Sequence, residues 1–352
     1  INLKGLKESL TIQYDNMLIP HIYAANDEDL FYAQGYLTAF HRLWQMEFQI
    51  KAASGQLSEI IGIRALNRDR EQRRKGIIYA AKRTLNKSKS DEKIYKLLQS
   101  YVKGINHYIE DLNYSEYPIE YKLLNYKPEK WTLLKTFILM ESMSDMLSSR
   151  DNDIEDTYLL NILGKEKYDV LFPEFDSKIK PIIPIGTKFN FEVNKIEPPN
   201  IKNYDILPLN TLIKPHQDNG SNNFAISPNK SKDGSVFVAS QPDLSLNLPS
   251  IWYLIHLNSP SYNTMGASLP GAPGIIIGFN DYVAWGETNA TRDVVDWYKI
   301  DFKDNSRSEY RYGNKWLKSE KVIEEIKIKN SKSYFDTIVY THYGPVSYDY
   351  NF

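Results

Sequence analysis

The residues with the clearest chemical potential are Gly220 and Ser221, which open the run Gly-Ser-Asn-Asn-Phe-Ala-Ile (220–226). A serine that follows a glycine at the head of a short apolar strand can attack the carbonyl carbon that precedes it. An N→O acyl shift at this bond would cut the chain and leave Ser221 as a new amino terminus. Ser221 would then carry a nucleophilic hydroxyl and, as its base, an α-amino group whose pKa of roughly 7.7–8.0 suits neutral pH. The alternative is an ordinary turn serine, because Gly-Ser is common in turns.

A second group of residues could bind a metal ion. Asp293 and Asp296 stand three residues apart with the carbonyl of Val295 between them. These are hard oxygen ligands of the kind that Ca²⁺ prefers, although two acids at this spacing are more often only solvated. Two further motifs lie between Ser221 and this segment, namely Ser-Gln-Pro-Asp-Leu (240–244) and Trp-Gly-Glu-Thr-Asn-Ala (285–290).

The composition restricts the class of protein. The chain has 352 residues, a net charge of −1 and no cysteine, which excludes disulfides, thiolate metal sites and a cysteine nucleophile. The near-neutral charge gives no reason to expect a nucleic-acid partner. No apolar run reaches the roughly 18–20 residues that span a bilayer, and the first residues do not resemble a signal peptide. We therefore expect a globular chain without a transmembrane segment, and this composition is compatible with a small-molecule partner.

The pattern along the chain predicts three segments. Residues 1–170 are mainly helical after a strand pair at 10–14 and 20–23, and 171–220 form a proline-rich spacer. Residues 221–352 contain short apolar runs separated by turn residues, a pattern typical of strands. Because the sequence stops in a strand-like stretch, we expect the protein to continue beyond Phe352. Helices are predicted from a cap at Asn26 or Asp27 to about Met46 and over 91–112, 132–147 and 154–163. Later strands are predicted at 224–227, 236–240, 252–257, 275–278, 282–285 and 297–302.

Many short blocks of this sequence resemble those of one known family. They are Pro20-His21-Ile22, the segments 29–36, 41–47, 55–59, 104–106 and 128–131, Gly220-Ser221-Asn222-Asn223, the Pro242 segment and the Trp285-Gly286 segment. On these blocks the chain resembles the penicillin acylase (penicillin amidase) family of N-terminal-nucleophile hydrolases over essentially its whole length. The resemblance implies an α+β fold, the four-layer αββα sandwich, and hydrolysis of a linear amide bond after self-cleavage between Gly220 and Ser221.

The resemblance also implies roles for individual residues. Ser221 is similar to the nucleophile, and Asn289 occupies the position whose main-chain N–H forms half of the oxyanion hole. Asp293, the carbonyl of Val295 and Asp296 resemble the calcium-binding segment of the family. An acid of the helical segment completes that structural Ca²⁺ site, with Asp153 as first choice and Glu155 as second. The pocket for the acyl group is implied to consist of Met143, Leu147, Leu244 and Ile277.

Three positions depart from the family pattern. The residue after Pro242 is usually Gln or His but here is Asp243, whose main-chain carbonyl is the group the family uses near the nucleophile. A buried carboxylate there would raise the pKa of the α-amino group. Glu287 is charged where neutral residues are usual near the pocket, so it either faces solvent or favours a basic group on the substrate. The second oxyanion donor of the family, an Asn side chain, would lie beyond Phe352.

These observations leave several functions open. The first is an acylase that removes the side chain of a penicillin-type β-lactam, and the second is an acylase for N-acyl-homoserine lactones or fatty amides. The aliphatic pocket residues slightly favour the second. The third is a catalytically silent homologue with a binding or structural role, which Asp243, Glu287 and the absence of the second oxyanion donor from this sequence keep open. Export from the cytoplasm is expected because relatives are usually exported.

Overall fold

The computed structural model of the chain describes residues 3, 5–148, 152–173, 178, 180, 183–184, 186–188, 190–191, 220–244, 246–289 and 294–347. These residues form a mixture of helices and strands, as the sequence predicts. By spatial contact they group into two compact units. The first unit takes its residues from 1–147, 215–291 and 299–352, and the second from 148–214 and 292–298. The predicted segment boundaries near 170 and 220 refer to chain order and stay predictions.

The predicted helices are confirmed. The cap of α1 is Asn26, whose side chain accepts a hydrogen bond from the main-chain N–H of Asp29 at 2.9 Å. The helix that it starts runs beyond Met46, to Ala53. None of the helices in the described part of the chain is both long and apolar enough to cross a bilayer. Their bounds are α1 Asp27–Ala53, α2 Ser58–Ile61, α3 Leu66–Arg74, α4 Ile77–Ser88, α5 Glu92–Asp111, α6 Ile119–Leu124, α7 Leu133–Leu147, α8 Asp153–Leu163 and α9 Lys165–Leu171.

Helices α1 and α5 contact each other through two glycines. A Cβ atom on Gly35 would lie 2.0 Å from the carbonyl oxygen of Tyr101, and one on Gly104 would lie 1.9 Å from the carbonyl oxygen of Tyr32. A side chain at either position would force the two backbones apart, so only glycine fits. Gly35 and Gly104 belong to blocks that carry the family resemblance, and the structure gives both a packing role.

Within the described residues, the strands form one larger sheet and three small ones. The larger sheet has the order β1-β2-β5-β6-β7-β8, and its neighbours are antiparallel except for β2 and β5, which run parallel. The small sheets pair β3 with β4, β9 with β10, and β12 with both β11 and β13. The bounds are β1 Thr11–Tyr14, β2 Pro20–Tyr23, β3 Gly220–Ile226, β4 Phe237–Asp243, β5 Tyr253–Ser259, β6 Tyr262–Ser268, β7 Ile277–Asn280, β8 Ala284–Trp285, β9 Glu309–Tyr312, β10 Lys315–Lys318, β11 Glu320–Ile326, β12 Tyr334–Thr341 and β13 Gly344–Pro345.

Side chains of the helical segment hold the loop between β6 and β7. The side chain of Gln34 on α1 exchanges two hydrogen bonds with the main chain of Gly274, at 3.0 and 3.1 Å. Thr136 on α7 is buried, and its hydroxyl donates to the carbonyl of Gly271 at 2.9 Å. These bonds join α1 and α7 to the strand region that follows Ser221.

Helix α3 is fixed to the sheet of β11 and β12 by buried charges. Arg74 donates from Nη2 to Oδ1 of Asp336 at 2.9 Å, and Arg70 donates from Nε to Oδ2 of the same residue at 3.0 Å. Arg74 and Asp336 are both buried. Because a buried carboxylate needs a charged partner, these contacts tie α3 to β12.

One predicted strand is wrong. Residues 297–302 contain no strand, and pairing there is limited to one bridge between Phe302 and Tyr310. The reason is the shortness of β9, which ends at Tyr312, only two residues beyond Tyr310, the partner of Phe302. Residues 297–299 would therefore pair beyond the end of β9, and a ladder does not form.

Candidate active site

Ser221 is the second residue of β3 and lies in a hairpin with β4. Its register partner is Pro242, and Gly220 is opposite Asp243. The predicted processing bond and the Pro242 segment are therefore brought together, as neighbours on two paired strands. Pro242 has no N–H to donate to the ladder. The carbonyl oxygen of Ser221 accepts a hydrogen bond from Oγ1 of Thr288 at 3.0 Å.

The segment after β8 crosses this hairpin. A Cβ atom on Gly286 would lie 2.7 Å from Cβ and 2.8 Å from Oγ of Ser240, and 3.6 Å from Cβ of Asn223. Ser240 and Asn223 are themselves register partners in the hairpin. The hydroxyl of Ser240 also donates to the carbonyl of Glu287 at 3.4 Å. The absence of a side chain at Gly286 thus lets the segment approach the strands closely and reach Ser221 two residues later.

Asn289, the predicted oxyanion residue, follows directly on Thr288. Its side-chain Nδ2 donates to the carbonyl of Leu147 at 2.6 Å. Leu147 is the last residue of α7 and a predicted pocket residue. Two predicted site residues, from opposite sides of Ser221 in the sequence, are therefore in direct contact.

The two charged departures from the family pattern are both exposed in the structure. Asp243 ends β4, and its Oδ1 accepts from Nε2 of Gln241 at 2.9 Å. Because this carboxylate is exposed, its charge is solvated, and the expectation that a buried charge raises the pKa of the α-amino group does not apply here. Glu287 is exposed as well, which favours the first of its two alternatives, that it faces solvent.

The predicted acyl pocket is assembled only in part. Met143 and Leu147 lie one turn apart on α7, where Met143 packs against the hydrophobic core and Leu147 is partly exposed. Leu244 follows β4, and Ile277 begins β7. Within the described residues neither of these two belongs to a core cluster with Met143. A pocket formed by all four therefore stays a prediction.

The predicted calcium ligands have suitable chemistry, but Asp293 lies outside the described residues. Asp153 and Glu155 stand in the first turn of α8, where the helix dipole favours carboxylates with or without a metal. Val295 and Asp296 offer a carbonyl and a carboxylate, so the donor set is the oxygen-rich kind that Ca²⁺ prefers. In the described part of the chain no three histidine, cysteine or acidic residues come together as a metal-binding group. The calcium site stays a prediction.

The sequence alone did not reveal Thr288, Ser240 and Gly286 as contributors to the site. Each lies within a motif that was singled out, but nothing in the residue types indicates the bond from Thr288 to Ser221. The only available signal was Gly286, since a glycine next to a short strand often marks a close backbone approach. Its partner, Ser240, is 46 residues away in the sequence, and that distance hides the contact.

Comparison with known proteins places these residues in a wider context. A sequence profile of the family described as penicillin amidase matches residues 9–351. The acyl-homoserine lactone acylase QuiP of Pseudomonas aeruginosa is 26% identical over 98% of this chain and 40% of its own length. The penicillin acylase 2 proenzyme of a Pseudomonas species is 26% identical over 98% of this chain and 44% of its own length. The chain thus spans less than half the length of these curated relatives.

A solved structure with some similarity is the thermostable penicillin G acylase from Alcaligenes faecalis in its tetragonal form. It is 22% identical to this chain, with a TM-score of 0.44. The match covers 51% of this chain and 98% of the matched chain.

Proposed function

The chain belongs to the penicillin amidase family, and on that premise we propose that it provides the nucleophile of an N-terminal-nucleophile acylase. The reaction is hydrolysis of a linear amide bond in an N-acyl substrate, with Ser221 as the attacking residue. The names of the relatives, which are acylases, support the reaction class. The proposal includes the fold, in which the helices and sheets contribute to a four-layer αββα sandwich.

One observation carries this proposal. Two hydrogen bonds run from the carbonyl of Ser221 through the adjacent residues Thr288 and Asn289 to the carbonyl of Leu147. The proposed nucleophile, the proposed oxyanion residue and the end of the proposed pocket helix therefore lie side by side. A turn serine without a catalytic role would not require this arrangement.

The first step is self-cleavage, for which one relative named as a proenzyme gives support. The hydroxyl oxygen of Ser221 adds to the carbonyl carbon of Gly220, and the bond from that carbon to the nitrogen of Ser221 breaks. The nitrogen takes up the proton and becomes an amine, while Gly220 is held as an ester on the serine oxygen. Water then hydrolyses the ester, which leaves a carboxylate on Gly220 and a hydroxyl on Ser221.

The second step is turnover of the substrate amide. The hydroxyl of Ser221 adds to the acyl carbonyl while its own amine accepts the proton. The main-chain N–H of Asn289 stabilises the negative oxygen of the tetrahedral intermediate. The amine then gives the proton to the leaving nitrogen, and water releases the acid from the acyl-enzyme. The main-chain carbonyl of Asp243 lies near the nucleophile in this proposal, and its solvated carboxylate takes no part.

The chemical class of the acyl group is proposed from the residues of the predicted pocket. Met143, Leu147, Leu244 and Ile277 are aliphatic, and such a wall favours an aliphatic acyl chain over an aromatic one. A relative named as an acyl-homoserine lactone acylase supports the same choice. Removal of a penicillin-type side chain is the alternative within the class, since another relative is named a penicillin acylase.

We also propose that Ca²⁺ is a structural ion of this protein and that the protein is exported from the cytoplasm. Asp293, Asp296 and the carbonyl of Val295, with Asp153 or Glu155, would hold it through oxygen atoms. When bound, the ion would supply attraction between the segments before and after the spacer and would take no part in the acyl chemistry.

The test of the acylase proposal is intact mass and amino-terminal sequencing of the complete gene product. Ser221→Ala is the diagnostic variant, and Ser235→Ala, an exposed serine between β3 and β4, is the matched control. The proposal expects the wild type and Ser235→Ala to yield a chain that begins Ser-Asn-Asn-Phe, and Ser221→Ala to stay whole. If the wild type also stays whole, the amine base never forms, and a catalytically silent homologue replaces the acylase.

The acyl group is then tested on the processed protein. A panel of phenylacetyl and fatty-acyl anilides measures kcat/KM for aromatic and aliphatic groups side by side. Higher values for fatty-acyl anilides support the aliphatic choice, and higher values for phenylacetyl anilides favour the penicillin-type reaction.

A further inference from the structure

Thr288 and Asn289 are adjacent residues whose side chains bond in two directions. Oγ1 of Thr288 donates to the carbonyl of Ser221, on strand β3, at 3.0 Å. Nδ2 of Asn289 donates to the carbonyl of Leu147, at the end of helix α7, at 2.6 Å. Between the two bonds lies a single peptide unit, whose N–H is the proposed oxyanion donor.

The bond to Leu147 matters because of where Leu147 stands. The last carbonyls of a helix have no partner within the helix and need one from outside. Asn289 supplies that partner from a segment 142 residues further along the chain. Helix α7 carries Met143 one turn earlier, so the position of its end sets the position of both proposed pocket residues.

The bond to Ser221 matters for a similar reason. The register partner of Ser221 is Pro242, which has no N–H to offer. The hydroxyl of Thr288 donates to the carbonyl of Ser221, and this bond restrains the peptide plane that follows the nucleophile. Rotation of this plane would turn the Ser221 side chain away from any bound carbonyl.

We propose that the dipeptide Thr288-Asn289 is a positioning bridge that couples the wall of the acyl pocket to the nucleophile. Asn289 sets which acyl chain lengths fit, by anchoring the end of α7, and Thr288 orients Ser221 for self-cleavage and for turnover. This inference rests on the proposed function, because it assigns selectivity and orientation to a pocket and a nucleophile of that reaction. Both side chains donate to main-chain carbonyls, so the proposal assigns them a positioning role.

Two pairs of variants separate the roles. Thr288→Val removes the hydroxyl at almost constant shape, and Thr288→Ser keeps it. Asn289→Ala removes the amide, and Asn289→Asp puts an oxygen against the carbonyl of Leu147; all these substitutions keep the main-chain N–H of residue 289. Asn86→Ala is the control asparagine, on α4, where its side chain accepts from Lys89.

The measurements are self-cleavage by mass and kcat and KM for fatty-acyl anilides of increasing length, on the complete gene product. We expect Thr288→Val to slow self-cleavage and to lower kcat by about tenfold or more for every chain length, since a displacement near 1 Å costs up to about a hundredfold. Thr288→Ser should recover most of both. Asn289→Ala and Asn289→Asp should still self-cleave, but should raise KM by about three- to tenfold for the preferred chain length and move the optimum. Asn86→Ala should match the wild type.

The outcomes distinguish a failure of the positioning bridge from a failure of the proposed acylase function. If the wild type self-cleaves and hydrolyses anilides, but both Asn289 variants keep the wild-type chain-length profile, the bridge is refuted while the acylase stands. An equal loss in Thr288→Val and Thr288→Ser also refutes it, because the hydroxyl is then irrelevant. If the wild type neither self-cleaves nor hydrolyses, the proposed function and the bridge fall together. Thermal melting of each variant shows whether a loss of activity is caused by unfolding. Where one variant at a position is unfolded, the other variant at the same position tests the bridge.

Discussion

Gly286 is the position where one added carbon atom should disturb the site most. Its Cβ would lie 2.7 Å from Cβ and 2.8 Å from Oγ of Ser240, whereas ordinary contact begins at 3.4 Å. The backbone of Gly286 is not among those with positive φ, so alanine meets no conformational penalty there. The whole effect of Gly286→Ala must therefore come from the collision with Ser240.

The distances set the size of the effect. To move from 2.7 to 3.4 Å, the segment or the strand has to shift by about 0.7 Å. Overpacking of this kind costs about 1–3 kcal/mol of unfolding free energy. The bond from Thr288 to Ser221 is already 3.0 Å long, and the same shift would lengthen it beyond a useful hydrogen bond. Since displacements near 1 Å reduce rates by up to about a hundredfold, we expect self-cleavage to slow by about ten- to a hundredfold.

The assay follows self-cleavage of the complete gene product with time by mass spectrometry, together with urea unfolding. The double variant Gly286→Ala with Ser240→Gly removes both colliding atoms, so it should self-cleave faster than Gly286→Ala alone. Ser240→Gly alone shows the cost of the lost serine. A Gly286→Ala protein that self-cleaves at the wild-type rate with unchanged stability would refute the close approach at Gly286.

Three further predictions concern stability. Asp336→Asn should lower the unfolding free energy by about 3–5 kcal/mol, because it removes the carboxylate that pairs with both Arg70 and buried Arg74. Asp169→Asn, which breaks an exposed pair with Lys165, should cost under about 1 kcal/mol in the same urea titration. Equal losses in the two variants would contradict this prediction. Burial raises the pKa of Glu47, so the folded state holds that proton more tightly than the unfolded chain, and stability falls as pH rises from about 4.3 through the raised folded pKa. Glu47→Gln should flatten that fall in unfolding curves measured at about pH 5 and about pH 8, and an unchanged slope would contradict the assignment. Ca²⁺ at a hundred times its Kd should raise the unfolding free energy of the complete gene product by about 2.7 kcal/mol. A chelator or the substitution Asp296→Ala should abolish this gain. A melting temperature that does not change when Ca²⁺ is added would contradict the proposed site.

The sequence predicted the elements that have one clear apolar face. Helix α5 is an example, since its buried residues Leu97, Tyr101 and Ile105 recur at helical spacing. Helix α3 was not predicted, because its buried side chains are polar, among them Asp69 and Arg74. These are buried only because partners elsewhere satisfy them: Asp69 accepts from the main-chain N–H groups of residues 57 and 58, and Arg74 pairs with Asp336. A pattern of hydrophobic residues cannot reveal such a helix.

For the candidate site, the sequence supplied residue types and the structure supplied neighbours. Gly220 and Ser221 were named from a local motif, whereas Asn289 and Asp243 were named only from the family resemblance. The contacts of Thr288 with Ser221 and of Asn289 with Leu147 span 67 and 142 residues, and no local pattern encodes them. The acyl pocket and the calcium site are predictions of the same long-range kind, which the described contacts do not assemble.

A cut between Gly220 and Ser221 would be useful only if the two products stayed together, and the structure contains the contacts that would hold them. Strand β2, before the cut, pairs in parallel with β5, after it, and Ile22 and Ile255 in these strands are fully buried. The two hydrogen bonds between Gln34 and Gly274 and the ion pair of Arg74 with Asp336 also cross the cut. Each of these contacts is noncovalent and lies away from the Gly220–Ser221 bond in the sequence, so cleavage removes none of them. If the chain is cut between Gly220 and Ser221, these contacts can therefore still hold the two products together.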